Sequence, residues 1–465
     1  MSGPNDKTLP YAARPNPGQS SPARPVVPPT PRWSASAPPA TSLPRLLPRT
    51  DDGKHAAREP AALAAHQARH GVLPYRGGLG RLITDVQAAG LTGRGGAAFP
   101  AHRKLQAAFD AARSSRRLPI VVANGAESEP ASDKDATLLW LAPHLVLDGL
   151  QLAAEAIGAR RAILYAHTIR ESLRAALAER AAAQVDRVPV EVAAAPGRFL
   201  AGQETALVSH LSGGPARPTF APPRPTDRGI DGVPTLVHNA ETLAHMALIA
   251  RYGPDWFRAV GTAASPGSVL CTVRRGDGKP RIMETAAGVP LRDLLGQVND
   301  RAAVLIGGYH GTWLPAATAV TLTLDDASLG TVGARVGAGV LATLPTDRCG
   351  LLETAGVVRY LAYESAGQCG PCLNGLPRMA AALVELASGR PRRGVRADLE
   401  RWAGLVTGRG ACNHPDGTAR LVRSALATFA AEADLHERGR CSAPRHGHPF
   451  LPVPAETARS EEDWR

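Results

Sequence analysis

Aromatic residues are scarce in this chain of 465 residues: Phe, Tyr and Trp together make up 4%. Hydrophobic residues still reach 44%, so packed cores must be built mainly from Ala, Leu and Val. Lysine is scarce too, and Arg carries most of the basic charge. No segment offers the roughly 18 to 20 continuous apolar residues that a bilayer span needs. The start, MSGPNDKTLP, has no apolar stretch behind a basic cluster, so no signal peptide is expected. No extended basic run, RNA-binding aromatic motif or two-Cys, two-His finger spacing is present, which argues against nucleic acid as a partner. The net charge of +12 is better matched to an acidic protein such as a ferredoxin. Cysteines are few: Cys271, Cys349, Cys369, Cys372, Cys412 and Cys441. Their uneven spacing does not suit a secreted disulfide framework, and a reducing cytoplasm is the expected location.

Length alone argues for two to four domains. The first 50 residues hold 13 of the 41 prolines, and residues 1–75 read as a disordered Pro/Arg-rich tail. Residues 76–250 alternate between helix and strand: helix at 79–89, strand at 118–123, helix at 144–157, strand at 161–166, helix at 169–183, strand at 188–194 and helix at 203–211. That alternation predicts an α/β domain with a largely parallel sheet covered on both faces. Residues 260–325 change to a hairpin around Gly276-Asp277-Gly278, a helix at 291–298 and a strand at 303–306, which suits a small β-grasp module. From 345 to 435 only helices are expected, at 351–363, 376–388, 395–406 and 417–434, forming a bundle. Residues 436–465 read as a loose C-terminal tail.

Four motifs carry chemistry. In Gly93-Arg94-Gly95-Gly96-Ala97-Ala98-Phe99-Pro100, glycines would let backbone N–H groups crowd a phosphate, and Lys104 adds positive charge nearby; a plain Gly-rich turn is the alternative. Asn124-Gly125-Ala126-Glu127-Ser128-Glu129 follows a buried strand, where open parallel sheets bind ligands; an exposed acidic loop would read the same. Gly202-Gln203-Glu204-Thr205 opens a helix, and His238-Asn239-Ala240-Glu241-Thr242 follows downstream; the residues of either motif could face a ligand or merely cap a helix. Finally, Cys369-Gly370-Pro371-Cys372 with Cys412 forms a thiolate set suited to iron–sulfur or zinc.

In this order and spacing, over roughly residues 79–435, the motifs resemble the NADH-binding flavoprotein subunit of respiratory complex I and its relatives in soluble hydrogenases and formate dehydrogenases. The resemblance implies a Rossmann-like FMN-binding domain, a β-grasp (SLBB-like) domain and a C-terminal bundle with one [4Fe–4S] cluster. It implies that NADH gives a hydride to FMN and that electrons leave singly through the cluster. Gly93, Arg94, Gly95, Gly96 and Lys104 would hold the flavin phosphate and ribityl chain, and Asn124 would bond the flavin. Asn239 and Thr242 would serve the phosphate end, with Glu127, Gly202, Gln203 and His238 completing the cofactor-binding set. Glu129 and Glu204 would face the nicotinamide, Phe99 would stack on adenine, and Cys369, Cys372 and Cys412 would be cluster ligands. Some positions depart from the family. Ala366 stands where the family has its first cluster cysteine, leaving [3Fe–4S], zinc with His414, or a fourth ligand from Glu364, Ser365, His414, Cys349 or solvent. Ala126, Ala107, Ala221 and Arg224 replace acidic, aromatic, Lys and Phe residues on the nucleotide side.

Overall fold

The computed structural model describes residues 39–48, 59–74, 80–276, 279–299, 301–444, 448–454 and 461–465. Most of the proline-rich start, Leu79, Asp277 and Gly278 lie outside these residues. Helices α1 (Leu63–His70), α2 (Arg81–Ala89) and α3 (Ala101–Ser115) precede β1 (Ile120–Asn124). Then come α4 (Lys134–Leu141), α5 (Pro143–Ile157), β2 (Arg161–Ala166), α6 (Glu171–Ala182), β3 (Val190–Ala194), α7 (Glu204–Leu211), β4 (Thr235–Asn239), α8 (Ala240–Tyr252) and α9 (Pro254–Arg258).

The first sheet is parallel throughout, in the order β3-β2-β1-β4. Side chains alternate across it: Val121, Ala123, Leu164 and Leu236 join the core under α3, α5 and α8, while Ile120, Val122, Ile163 and Val237 join a second core with Leu207 of α7. Burial of both faces explains why β1 and β2 read as unbroken apolar runs. The strand order reverses direction between β1 and β4, where Asn124 and Asn239 are register partners. Such a switch point leaves a crevice beyond the strand ends. Helix α5 is buried along almost its whole length and crosses α8 at Gly149. Together α4 and α5 are long and apolar enough to pass for a membrane span, but they are bent by 95°; no single helix among the described residues is long and apolar enough to cross a membrane.

The second sheet has five strands: β5 (Ser268–Arg274), β6 (Pro280–Ala286), β7 (Ala303–Ile306), β8 (Thr312–Pro315) and β9 (Val340–Thr343), in the order β6-β5-β9-β7-β8. Only the β5–β9 pair is parallel. Helices α10 (Leu291–Leu295), α11 (Ala316–Ala319) and α12 (Asp326–Gly330) accompany it. Because β9 lies between β5 and β7, this unit runs past residue 325. Helices α13 (Gly350–Tyr363), α14 (Leu376–Ala387), α15 (Val395–Val406), α16 (His414–Thr428) and α17 (Ala430–Glu437) follow. The helix expected over 417–434 is thus two, broken at Phe429. Ser424 and Thr428 of α16 hydrogen-bond both backbone groups of Trp313 in β8, which fixes the helices to the second sheet.

Neither tail behaves wholly as expected. Leu46, Leu47 and Leu73 lie in the main core, and Arg45 donates to the carbonyls of Trp256 and Phe257, so order begins well before residue 75. At the other end Phe450, Leu451 and Trp464 are buried. Glu353 accepts the amides of Phe450 and Leu451, and Trp464 packs between Arg198 and Arg217. Aromatic burial and charge-assisted bonds hold a segment whose composition resembles a loose tail.

Candidate functional site

The Gly93–Gly96 loop joins α2 to α3. It is closed by Gly93 N–H donating to Phe99 O at 2.8 Å and by a bridge between Thr92 and Pro100. Arg94 anchors it: its amide donates to Thr242 Oγ1 at 2.8 Å, and its buried guanidinium reaches the Ser268 carbonyl at 3.1 Å. Gly96 has φ +98°, open to glycine but strained for other residues. Among the described residues, no acceptor meets the amides of Gly95, Gly96 or Ala97. Successive free N–H groups of this kind form an anion nest. Phe99 beside them is 46% exposed, as a stacking platform requires. A cavity of about 270 Å3 opens between this loop and the second sheet, lined by Gly93, Gly96, Lys134, Glu241 and Asp325 among others; Lys104, Asn124 and Glu204 do not line it.

Lys104, in the first turn of α3, donates to Val237 O at 2.9 Å and pairs with Glu204 at 2.8 Å. Asn124 Nδ2 donates to Gly202 O at 2.8 Å. A Cβ at Gly202 would sit 2.8 Å from the Ala126 carbonyl, so glycine is needed where these two loops meet. His238, at the end of β4, is buried, with no partner for Nε2 among the described residues; burial and Lys104 hold its pKa well below the usual range, so it is neutral. The structure therefore brings together the Gly loop, Lys104, Asn124, Gly202, Glu204, His238 and Asn239 at the switch point. The free amides and the orphaned imidazole nitrogen fit an anionic ligand rich in hydrogen-bonding groups, as FMN is.

Several motif residues, Asn239 among them, are also spent on the scaffold. Gln203 Oε1 caps α7 by accepting from Ala206 N, and Asn239 Oδ1 caps α8 by accepting from Glu241 N. Glu127 takes Ser132 Oγ and the amides of Asp135 and Ala136 at the start of α4, and burial raises its pKa to about 7. Behind the Gly loop, Lys134 bridges Asp135 at 2.8 Å and Glu241 at 2.9 Å; Asn239 Nδ2 donates to Asp135 at 2.7 Å, and Glu241 accepts from Leu270 N of β5. Sequence reasoning passed over Lys134 and Asp135. A lysine followed by an aspartate, in a chain with so few lysines, was the available signal.

Glu129 accepts from Tyr309 N at 2.8 Å and Ala131 N at 3.2 Å, and burial pushes its pKa up to about 7. Gly308 permits this contact, because a Cβ there would meet Glu129 Oε2 at 2.5 Å. With the folded pKa above the unfolded value, the unfolded chain loses its proton first as pH rises from about 4.5 to 7, and stability falls across that window. Glu129→Gln is expected to flatten the dependence of Tm on pH between 5 and 7.5, measured by thermal melts. An unchanged slope would show that Glu129 titrates normally.

The thiols lie at the far end of α13. Cys369 and Cys372 Sγ are 3.6 Å apart, and Cys372 sits in a π-helical turn, Pro371–Gly375, that leads into α14. Such turns are over-represented at functional sites. Cys412 lies on the loop before α16, where a charge on it would raise the Cys372 pKa and a charge on Cys369 would raise its own. Burial raises the Cys372 pKa to about 11. Three soft donors of this kind fit iron. Most fourth-ligand candidates are otherwise engaged. Glu364 accepts from Phe199 N at 2.9 Å, and His414 has one ring nitrogen on Leu361 O and the other on His310. Cys349 is at the opposite end of α13, about 21 Å of helix away. Ala366 is packed with Leu200 and Trp464.

The comparisons agree with this geometry. Residues 86–248 match the Nuo51 FMN-binding domain, and residues 353–436 match the NADH-ubiquinone oxidoreductase-F iron-sulfur binding region. The second F-type subunit of the NADH-quinone oxidoreductase of Rhizobium meliloti is 30% identical over 408 residues, covering 82% of this chain and 95% of that one. The F-type subunit of the Streptomyces coelicolor enzyme is 29% identical over 394 residues, covering 80% and 85%. A chain of the NAD+-reducing [NiFe]-hydrogenase, in the H2-reduced state, superposes with TM-score 0.71 at 29% identity; the match covers 83% of this chain and 66% of that longer one. The chain belongs to the family of F-type subunits of NADH-quinone oxidoreductase, proteins of NADH-linked flavin and iron–sulfur electron transfer.

Proposed function

We propose that this chain oxidises NADH at an FMN held over the β1–β4 switch point and passes electrons singly through a cluster on Cys369, Cys372 and Cys412. The observation that carries this is the nest of free amides at Gly95–Ala97 beside Lys104, His238 and Asn239, in a chain that also brings the Cys369 and Cys372 thiols together. When bound, FMN accepts a hydride and the cluster conducts single electrons. The Gly loop, with Lys104, orients the phosphate end. Asn124 ties the loop that carries Glu129 to the one that leads into Glu204, and Phe99 offers its exposed face to the nucleotide. In this reading the second sheet is a β-grasp module and α13–α17 a bundle that holds the cluster. An acidic ferredoxin-like carrier is the partner that best suits the +12 charge. Leu373, 62% exposed directly after Cys372, supplies an apolar contact beside the cluster.

The test is spectroscopic. NADH added anaerobically to the reconstituted protein is expected to bleach the flavin within seconds. If NADH and NADPH both leave a bound flavin oxidised, the reading is wrong. Lys104→Met is expected to weaken FMN binding about 30-fold, the equivalent of the roughly 2 kcal/mol of one charge-assisted contact. Fluorescence titration with FMN measures it, and an unchanged Kd would place the phosphate elsewhere.

A further inference from the structure

We propose that Cys349, Glu432, His436 and Cys441 form a mononuclear zinc site, separate from the iron–sulfur thiolates, that ties the segment after α17 to the start of α13. The four ligand atoms all lie within 4.8 Å of one another. Cys349 Sγ is 3.5 Å from His436 Nε2 and 3.9 Å from Glu432 Oε1, and His436 Nε2 is 3.1 Å from Glu432 Oε1. A tetrahedron with metal–ligand bonds of about 2.0–2.3 Å has edges of about 3.3–3.8 Å, so these separations suit one small ion at the centre.

Local structure presents the donors. Glu432 and His436 are four apart on α17 and share one face. His436 Nδ1 donates to Leu386 O at 3.1 Å, which fixes the tautomer and leaves the Nε2 lone pair toward the thiols. Glu432 is oriented in turn by Ser442, whose amide reaches Oε1 at 2.9 Å and whose hydroxyl reaches Oε2. Gly439, at φ +74°, ends the helix and turns the chain back so that Cys441 returns to the site. Cys349 is the N-cap of α13.

Two thiolates, an imidazole and a carboxylate are the donors zinc takes, and the soft sulfurs disfavour magnesium or calcium. Only two of the donors are thiolates, and they converge on a point, so an iron–sulfur cubane does not suit them. Four protein donors leave no open position, which marks a structural centre. Cys441 is exposed and gives the ion a way in. The tie would close residues 349–441 into one loop that contains Cys369, Cys372 and Cys412.

The test uses the full chain, purified anaerobically. Metal analysis should find one zinc per chain in addition to iron, retained in Cys372→Ala and lost in Cys441→Ser, with iron unchanged in the latter. Cys441 is exposed, so this substitution leaves the core intact. Cobalt(II) in place of zinc should give thiolate-to-cobalt charge-transfer absorbance that Cys441→Ser abolishes. A chelator should lower the Tm by about 5 °C or more in the parent chain but not in Cys441→Ser. Zinc content unaffected by Cys441→Ser, or a Cys349–Cys441 disulfide in the chain as isolated, would overturn the assignment.

Discussion

Cys372→Ala is expected to strip the protein of iron and acid-labile sulfide while leaving its flavin content unchanged. Cys372 is buried, 3.6 Å from Cys369, and packed against Leu376, Met379 and Val406. The position of the family's first cluster cysteine is already Ala366, so this substitution leaves two thiolates. Removing outer-shell partners alone costs 10–100-fold in metal affinity, and losing one of three direct ligands should cost more than about 100-fold. NADH should still bleach the flavin, whereas reduction of a one-electron protein acceptor should fall to background. Iron analysis and low-temperature paramagnetic resonance of the reduced protein read the outcome. Iron retained at the parent level would mean that the cluster is bound elsewhere.

Gly149→Val is expected to destroy the fold rather than one function. A Cβ at Gly149 would lie 1.9 Å from Leu243 O and 2.4 Å from Leu243 C, backbone atoms of α8 that cannot step aside as a side chain could. Overpacking in a tight core costs about 1–3 kcal/mol and more where backbone must move. Here the displaced helix is the one whose first turn carries Glu241 and Thr242, so the Lys134 network and the Arg94 anchor shift with it. Breaking a buried ion pair adds about 3–5 kcal/mol. The variant should be insoluble, or melt more than about 10 °C lower and copurify without flavin. A Tm near that of the parent protein would show that α5 and α8 do not cross at this residue.

Much of the α/β region was legible because its strands are buried on both faces and its helices are long. The strand at 161–166 and the helix at 395–406 stand where periodicity places them. β4 was missed because five residues, TLVHN, run straight from a Pro into α8 with no turn to mark them. β9 was missed because its four residues gain meaning only beside β5, some 70 positions earlier. In the site, the Gly loop and the thiols were visible as motifs. Whether Gln203, Asn239 and Glu127 face a ligand or hold a helix start depends on hydrogen bonds that spacing does not encode. The Lys134–Asp135–Glu241 network and the Cys349–Cys441 grouping join residues about 90 to 107 positions apart, which no local pattern reveals.

Tyr309 joins two segments distant in sequence: its amide holds Glu129, and its hydroxyl donates to the Pro452 carbonyl. Twelve residues further on, Ala216 N donates to the carbonyl of Trp464, next to the last residue. An affinity handle, electrode linker or fluorescent label inserted at 448–454 would therefore pull on the Tyr309 hydroxyl, and through that residue on the seat of Glu129.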